Sequence, residues 1–176
     1  MPELTPFQTV GPFFAILPLA GENSAVTSGS SGRTILITGT VRDGAGAVVP
    51  DALIETWQAN GAGKFEADPT FRGFARAPTD AAGRFEIRTL RPGRVIGPEG
   101  RLQAPHLLVS VLARGILTRL VTRLYFADDP TIASDPILAL VPEARRATLL
   151  AEPVEPDLYR FDIVLQGEGE TVFFDL

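Results

Sequence analysis

The chain of 176 residues has one histidine, His106, and no cysteine. His106 lies in the apolar stretch APHLLVSV, residues 104–111, which is typical of a buried strand. Side chains two positions apart on a strand point to the same face, so Leu108 shares a face with His106. A metal site needs several donors, and leucine supplies none. The residues alone therefore favour a buried, hydrogen-bonded histidine over a metal ligand or a catalytic base.

Other chemical arrangements are weak in this sequence. Without cysteine there are no disulfides, thiolate metal sites or cysteine nucleophiles. No Ser–His–Asp arrangement is legible, and Glu66 and Asp68 with His106 make at best an unassembled metal constellation. We expect Trp57, the only tryptophan, to pack on its strand. The remaining charged candidates are expected to form cross-strand ion pairs, with acids Asp51, Glu55 and Asp162 and bases Arg42, Arg84 and Arg160.

The charge balance narrows the possible partners. Sixteen basic and 21 acidic residues give a net charge of −5, which disfavours binding to a nucleic-acid backbone. No apolar run reaches the length of a membrane span, and the first residues, MPELTPFQTVGPFFAI, lack the basic start of a secretory signal. We expect no membrane association and a cytoplasmic location.

The elements that must position these residues are short and strand-like. Runs with strand composition or alternation cover residues 34–42, 52–58, 83–90, 106–113, 118–126 and 158–166. Turn signals such as DGAG, NGAG and DAAG separate them. Residues 142–152 predict the one helix, and residues 21–33 a flexible loop. The pattern predicts a single all-β domain over residues 1–176, an antiparallel β-sandwich with one short helix and long loops.

Six ordered blocks of the chain resemble a known family. They are TPFQTVGPFF (5–14), ITGTVRDGAGAVVPDALIETWQANGAGKF (37–65), TDAAGRFEIRTLRPG (79–93), APHLLVSVLARGI (104–116), TRLYF (122–126) and YRFDIVLQGEGETVFFDL (159–176). They are similar to the intradiol ring-cleavage dioxygenases, and within that family to the alpha subunits of its two-subunit members. The resemblance implies a β-sandwich fold and a role in opening a catechol ring with O2.

In that family, two tyrosines and two histidines of the catalytic beta subunit hold a non-haem iron(III). The tyrosine positions fall on Phe65 and about Val95 of this chain, and the His-x-His pair falls on His106 and Leu108. The resemblance therefore implies that this chain binds no catalytic iron, and that its partner is an iron-bearing beta subunit.

Two further positions depart from the iron-bearing pattern. The family arginine three residues before the first histidine is Gln103, and the glutamine of the block TQLYF is Arg123. A cation at Arg123 would repel a metal ion, so we expect Arg123 and apolar side chains to occupy the vacated site.

The resemblance also assigns residues that act on the partner. Thr9, Gly11, Pro12 and Phe13 match a segment that lines the substrate pocket of the beta subunit, and residues 1–20 are expected to form an arm that docks on that subunit. The alternative is an arm that clamps the partner without contacting substrate. Arg114 matches an arginine that reaches the partner's active site as a catalytic group, or forms only an interfacial ion pair.

Two functions from different classes follow from the resemblance. The first is an iron-free subunit that completes the active site of an iron(III)-bearing beta subunit acting on protocatechuate, a small catechol, and O2. The second is a scaffolding or binding module that has kept the sandwich and lost the enzyme. A third, an enzyme that carries its own metal, requires carboxylates in place of the missing tyrosines.

Overall fold

The computed structural model describes residues 22–27 and 29–175, and strands dominate it. The strands are β1 (Thr34–Arg42), β2 (Leu53–Trp57), β3 (Phe74–Pro78), β4 (Arg84–Leu90), β5 (Val95–Ile96), β6 (Leu102–Gln103), β7 (His106–Leu112), β8 (Leu120–Phe126), β9 (Leu150–Glu155), β10 (Leu158–Arg160) and β11 (Ile163–Val164). One short helix, α1, covers Glu143–Arg146. No helix in this part of the chain is long and apolar enough to cross a membrane.

The strands form two layers that are continuous along one side. One layer has the order β3-β2-β7-β8, and the other contains β4, β1, β10 and β9, with β11 extending along β1. The layers join where β8 pairs with β9 in parallel. The predicted β-sandwich with one short helix is confirmed, although β1 also pairs in parallel with β10 and β11, so the strand pairing is mixed and not purely antiparallel.

Alternating apolar side chains build the core between the layers. Phe85 and Ile87 of β4 are buried, while Arg84, Glu86 and Arg88 face solvent, as the alternation predicts. The facing layer contributes side chains that are at most 1% exposed, namely Ile54, Ala75, Leu107, Val109, Val111, Leu124 and Phe126. The inner faces of both layers are thereby removed from water.

A second, smaller apolar cluster covers the opposite face of β8. Tyr125, which points away from the main core, packs there with Leu138, Val141 and Leu149. The last three come from the segment between β8 and β9, which contains α1 and three short 3-10 turns. The outer face of β8 is therefore partly buried, although it lies outside the sandwich.

Residues 22–26 close the gap between β3 and β4. The Ala25 N–H donates to the Arg88 carbonyl of β4 at 2.8 Å, and the Arg76 N–H of β3 donates to the Glu22 carbonyl at 2.8 Å. Ala25 is 2% exposed. The prediction of a flexible loop over residues 21–33 is wrong for this part, because small polar neighbours hid two apolar residues, Ala25 and Val26, that pack on the core. We call residues 22–26 the strap.

Three turns share one construction. In DGAGA (43–47), NGAGK (60–64) and DAAGR (80–84) the first side-chain oxygen accepts the N–H groups two and four positions later, at 2.8–3.1 Å. The fourth residue of each is a glycine with φ between 71° and 80°. Aspartate or asparagine followed by this glycine is a strong turn signal, since both residue types satisfy the backbone locally.

The helix prediction over residues 142–152 is correct in position and too long. Helix α1 ends at Arg146, a 3-10 turn follows, and residues from Leu150 onward form β9. Pro142 is the N-cap and not the first helical residue. The parallel pairing of Leu150 and Ala151 with β8 outweighs their helix propensity.

One partly buried cation connects distant parts of the molecule. Arg91, just after β4, donates to Asp128 at 3.1 Å, to Asp129 at 3.2 Å and to the Tyr159 hydroxyl at 2.6 Å. Its guanidinium carbon also lies 3.8 Å from the centre of the Phe126 ring. Residues following β4 and β8 are therefore tied to β10 through a single side chain.

Candidate functional site

His106 is a buried, neutral residue on the outer face of β7. Its side chain is 6% exposed, and Nδ1 lies 2.8 Å from the Ala104 carbonyl oxygen. Because a carbonyl can only accept, Nδ1 carries the proton. Burial, together with the nearby charge of Arg123, lowers the pKa of His106 from 6.5 to about 4. The predicted hydrogen-bonded histidine is confirmed.

Arg123 and Gln103 are bonded to each other. The Arg123 Nη1 group donates to Gln103 Oε1 at 2.7 Å and to the Tyr125 hydroxyl at 3.2 Å. The resemblance places arginine at position 103 and glutamine at position 123, so this chain has the same two residue types with their places exchanged. Arg123 also lies opposite Leu108 across the β7–β8 pair. The prediction that Arg123 faces the vacated ligand position is confirmed.

A buried carboxylate, Asp135, supports this arrangement. It is 1% exposed and accepts hydrogen bonds from the Tyr125 hydroxyl at 3.1 Å, the Ala104 N–H at 2.8 Å and the Leu138 N–H at 2.7 Å. Burial raises the pKa of Tyr125, which therefore stays a protonated phenol. Neither residue was predicted as part of the site. Alternation on β8 places Tyr125 beside Arg123, whereas no local pattern marks Asp135.

A cavity of about 430 Å³ opens beside Arg123. Its walls come from β7, β8, the segment around α1 and the last residues of the chain. Apart from Arg123, the lining residues are apolar: Leu108, Val121, Ile137, Leu140, Val141, Pro142, Val172 and Phe174. Arg123 and apolar side chains thus line the site, as expected, but they do not fill it.

The residues at the four family ligand positions do not fit a ferric ion. Phe65, Val95 and Leu108 have no lone pair to donate, and His106 alone cannot hold a hard cation. Phe65 is 52% exposed, and Val95 is buried in β5. In the part of the chain that the structure describes, no three histidine, cysteine or carboxylate side chains come together as metal donors.

The carboxylates considered as replacement ligands have other roles. Asp68 accepts the backbone N–H groups of Thr70 at 2.6 Å and Phe71 at 2.9 Å, which stabilises a turn. Glu66 faces Lys64 at 3.9 Å on the surface. Within residues 22–27 and 29–175, neither carboxylate comes together with His106 to form a group of metal donors.

Trp57 is more exposed than predicted. Its side chain lies on the outer face of β2, 45% exposed, and stacks on Phe65 with ring centres 6.4 Å apart and planes within 5°. The expected packing role is correct only in this partial sense, because nearly half of Trp57 stays exposed. Trp57 lies beside Leu108 in the β2–β7 register.

Arg114 lies at the far end of β7 from His106. It follows the last strand residue, Leu112, and its Nε group donates to the Asp51 carboxylate. The side chain is 74% exposed. Arg114 lies six residues beyond Leu108, which pairs with Arg123, so extended chain separates the two arginines by roughly 20 Å. A guanidinium this exposed can reach a neighbouring molecule.

The predicted ion pairs are only partly correct. Asp162 pairs with Arg160 at 2.8 Å, one of the expected partners, but the two residues are two positions apart in the chain and do not form a cross-strand pair. Glu55 instead pairs with Arg76 at 2.6 Å, directly across the β2–β3 register, and Asp51 pairs with Arg114. The Glu55 partner was missed because β3, with the sequence FARAP, has too little apolar alternation to predict a strand.

Another concavity, of about 730 Å³, lies over β4, β1 and β10. Four of its five charged side chains form ion pairs, Arg84 with Asp80 at 3.0 Å and Arg160 with Asp162 at 2.8 Å. It contains no histidine and no group with a shifted reactivity suited to catalysis.

The predicted substrate-lining residues Thr9, Gly11, Pro12 and Phe13, and the arm over residues 1–20, lie outside the described residues.

Sequence comparisons agree with this geometry. A family model described as "Dioxygenase" matches residues 11–167. The protocatechuate 3,4-dioxygenase alpha chain of Burkholderia cepacia is 44% identical, over 98% of this chain and 97% of that protein. The alpha chain of Pseudomonas putida is 41% identical over 99% and 97%. The beta chain of Burkholderia cepacia is 37% identical over 84% and 71%.

Solved structures share the fold. The dioxygenase domain of a carbohydrate-binding fusion protein from Streptomyces sp. SirexAA-E superimposes with a TM-score of 0.65 at 28% identity, covering 94% of this chain and 99% of that domain. A 3-chlorocatechol 1,2-dioxygenase from Rhodococcus opacus 1CP gives 0.68 at 23% identity, covering 93% and 69%. The β-sandwich described above is therefore the fold of these enzymes.

Proposed function

Because this chain belongs to the dioxygenase family of the intradiol ring-cleaving enzymes, we propose that it is the iron-free alpha subunit of a protocatechuate 3,4-dioxygenase. It completes the active site of an iron(III)-bearing beta subunit. The assembled enzyme cleaves protocatechuate between its two hydroxyl-bearing carbons and adds both atoms of O2, giving 3-carboxy-cis,cis-muconate. The similarity to two alpha chains over nearly their whole length supports this role.

The proposal rests on the residues that stand at the family's metal-ligand positions. Phe65, Val95 and Leu108 stand at family ligand positions without a donor atom, and the remaining His106 is buried with a hydrogen-bonded Nδ1. In the assembly the iron belongs to the beta subunit, which supplies the oxygen chemistry. This chain contributes side chains that bind and orient substrate from one wall of that site, and we place the assembly in the cytoplasm.

Arg114 is the described residue best placed to act on the partner. Its guanidinium is exposed at a strand end, and Asp51 engages Nε, which leaves both Nη groups for an anionic substrate or a polar partner residue. Thr9, Gly11, Pro12 and Phe13 remain the predicted wall of the substrate pocket.

Reconstitution tests the subunit role. The purified chain should be inactive, and mixing it with its iron-bearing partner should restore oxygen uptake with protocatechuate. Ring cleavage by the isolated chain would overturn the proposal. Failure of any beta chain to form an active mixture would favour the scaffolding alternative.

Arg114→Ala tests the contribution of this chain to the shared site. In the assembled enzyme it should lower kcat or raise the apparent KM about tenfold or more without changing iron content, because one charged hydrogen bond to substrate is lost. Asp51→Asn is the matched control, since it breaks the same ion pair and keeps the guanidinium. If both variants change the kinetics equally, Arg114 acts only through its pair with Asp51.

A further inference from the structure

The cavity beside Arg123 combines apolar walls with one cation. Its volume of about 430 Å³ lies within the roughly 300–1,000 Å³ typical of small-molecule sites. Among the described residues that line it, Arg123 is the only charged one. An apolar enclosure weakens the competition of water for that charge, so an anion inside would be bound more strongly than on the surface.

The guanidinium donors of Arg123 that have no partner among the described residues indicate which kind of anion the cavity binds. Its hydrogen bonds within the described residues, to Gln103 and Tyr125, both start from Nη1. Nε and Nη2 are therefore available, and these two groups form the fork that holds a carboxylate through two parallel hydrogen bonds. Gln103 and Tyr125 fix the other edge and so set the direction of the fork.

No described carboxylate already neutralises this arginine directly. Arg123 is in none of the ion pairs of the described chain, in contrast to Arg76, Arg84 and Arg91. The nearest acid in its network, Asp135, has its oxygens occupied by the Tyr125 hydroxyl and by backbone N–H groups. No described carboxylate therefore neutralises the positive charge of Arg123, and this charge can pair with a ligand.

We propose that this cavity is a binding site for a small carboxylate with an apolar body, such as a benzoate, held by the Nε and Nη2 groups of Arg123. The apolar body lies between Leu108 and Val121 of the sheet and Val172 and Phe174 of the carboxyl-terminal segment. The site is separate from Arg114 and is lined by residues of this chain. Its existence does not depend on the proposed subunit role.

The test uses the full chain and two probes of equal shape, 4-fluorobenzoate and the neutral 4-fluorobenzamide, titrated by ¹⁹F NMR. The carboxylate should bind at least about tenfold more tightly than the amide, because only it pairs with the guanidinium. Arg123→Gln should remove this preference while the amide still binds, which shows that the cavity is intact. Val121→Phe should weaken both probes by filling the space.

Arg119→Gln is the matched control, since Arg119 is an exposed arginine outside the cavity. It should bind both probes as the wild type does. Equal affinity for the two probes, carboxylate binding that survives Arg123→Gln, or no saturable binding below about 10 mM would each overturn the site. These readouts involve neither iron nor oxygen uptake, so failure here leaves the reconstitution test of the proposed function unaffected.

Discussion

The exchange of Gln103 and Arg123 shows how two substitutions can depend on each other. Position 103 lies on β6 and position 123 on β8, and one hydrogen bond of 2.7 Å joins their side chains. One partner must donate and the other must accept. Either residue can carry the guanidinium, but two arginines would face each other with donors and no acceptor.

A double-mutant cycle tests this dependence. Gln103→Arg alone places two cations together, and Arg123→Gln alone leaves two amides, so each single variant should lower the free energy of unfolding by about 1–3 kcal/mol. The reversed pair, Gln103→Arg with Arg123→Gln, should recover at least about 1 kcal/mol of the summed loss, measured by urea unfolding. Strict additivity of the two single effects would show that the pair is not coupled.

His106 makes stability depend on pH in a defined window. Its pKa is lowered from 6.5 to about 4 in the folded state, so between these values the unfolded chain binds a proton that the folded chain does not. Stability should therefore fall as pH falls from about 6.5 to about 4, by about 3 kcal/mol in total.

His106→Gln is the reference for this measurement, because the chain has no other histidine. The difference in unfolding free energy between wild type and variant, followed by urea titration from pH 7.5 to pH 4, cancels the contribution of the carboxylates. The wild type should lose its advantage as the pH decreases. Parallel curves would show that the imidazole is not the group that titrates.

At the residue scale, the sequence was informative where a side chain follows strand alternation. Alternation placed His106 with Leu108, and the family resemblance directed Arg123 toward the same site; both predictions are confirmed. Neither could find Asp135, because that carboxylate reaches the site from an irregular segment whose path depends on tertiary packing. The partly exposed stack of Trp57 on Phe65 was missed for a similar reason, since it also depends on tertiary packing.

Among the elements, β1 is the most constrained, because it pairs with β4, β10 and β11. Gly39, in its centre, has no room for a side chain: a Cβ there would collide with the Phe161 carbonyl and the Phe85 ring. The glycine permits β1 to lie close to the chain that links β10 and β11.

Gly39→Ala should therefore destabilise the protein by about 2–4 kcal/mol, since both the backbone and a buried ring must move. Gly61→Ala is the control, because a Cβ at that position meets only one atom, at an ordinary contact distance of 3.7 Å. Its cost should stay below about 1 kcal/mol. Thermal unfolding of the two variants measures the difference, and similar melting temperatures would contradict the close approach.

The strands that were predicted correctly are those whose own residues show strand composition or apolar alternation. The run at residues 34–42 matches β1 at both ends, and four further runs agree within two residues. Four strands were missed: the two-residue strands β5 and β6, and the longer β3 and β9. Strands β3 and β9 have few apolar residues and gain stability from neighbours, through the Glu55–Arg76 pair in β3 and the parallel contact with β8 in β9. The run 158–166 is divided into β10 and β11, and between them the Asp162 side chain accepts the Thr40 N–H.

At the scale of the whole molecule, Arg91 holds together segments that are far apart in the chain. Replacing it with methionine leaves Asp128 and Asp129 without their cation in a partly buried setting. Arg91→Met should lower the free energy of unfolding by about 3–5 kcal/mol. Arg33→Met is the control, because its ion pair with Asp157 is more than half exposed, and exposed pairs contribute about 1 kcal/mol or less. Equal losses in urea unfolding would contradict the central role of Arg91.

The strap also has a consequence for how the protein behaves in a concentrated solution. Residues 22–26 occupy hydrogen-bonding groups of β3 and β4 that would otherwise be open strand edges. Open edges recruit other chains and seed aggregation. A protease that cuts within or just after the strap removes only a few contacts from the fold. The cut nevertheless exposes two strand edges that can then pair with other chains. The resistance of this protein to aggregation during storage should thus depend on the five residues of the strap.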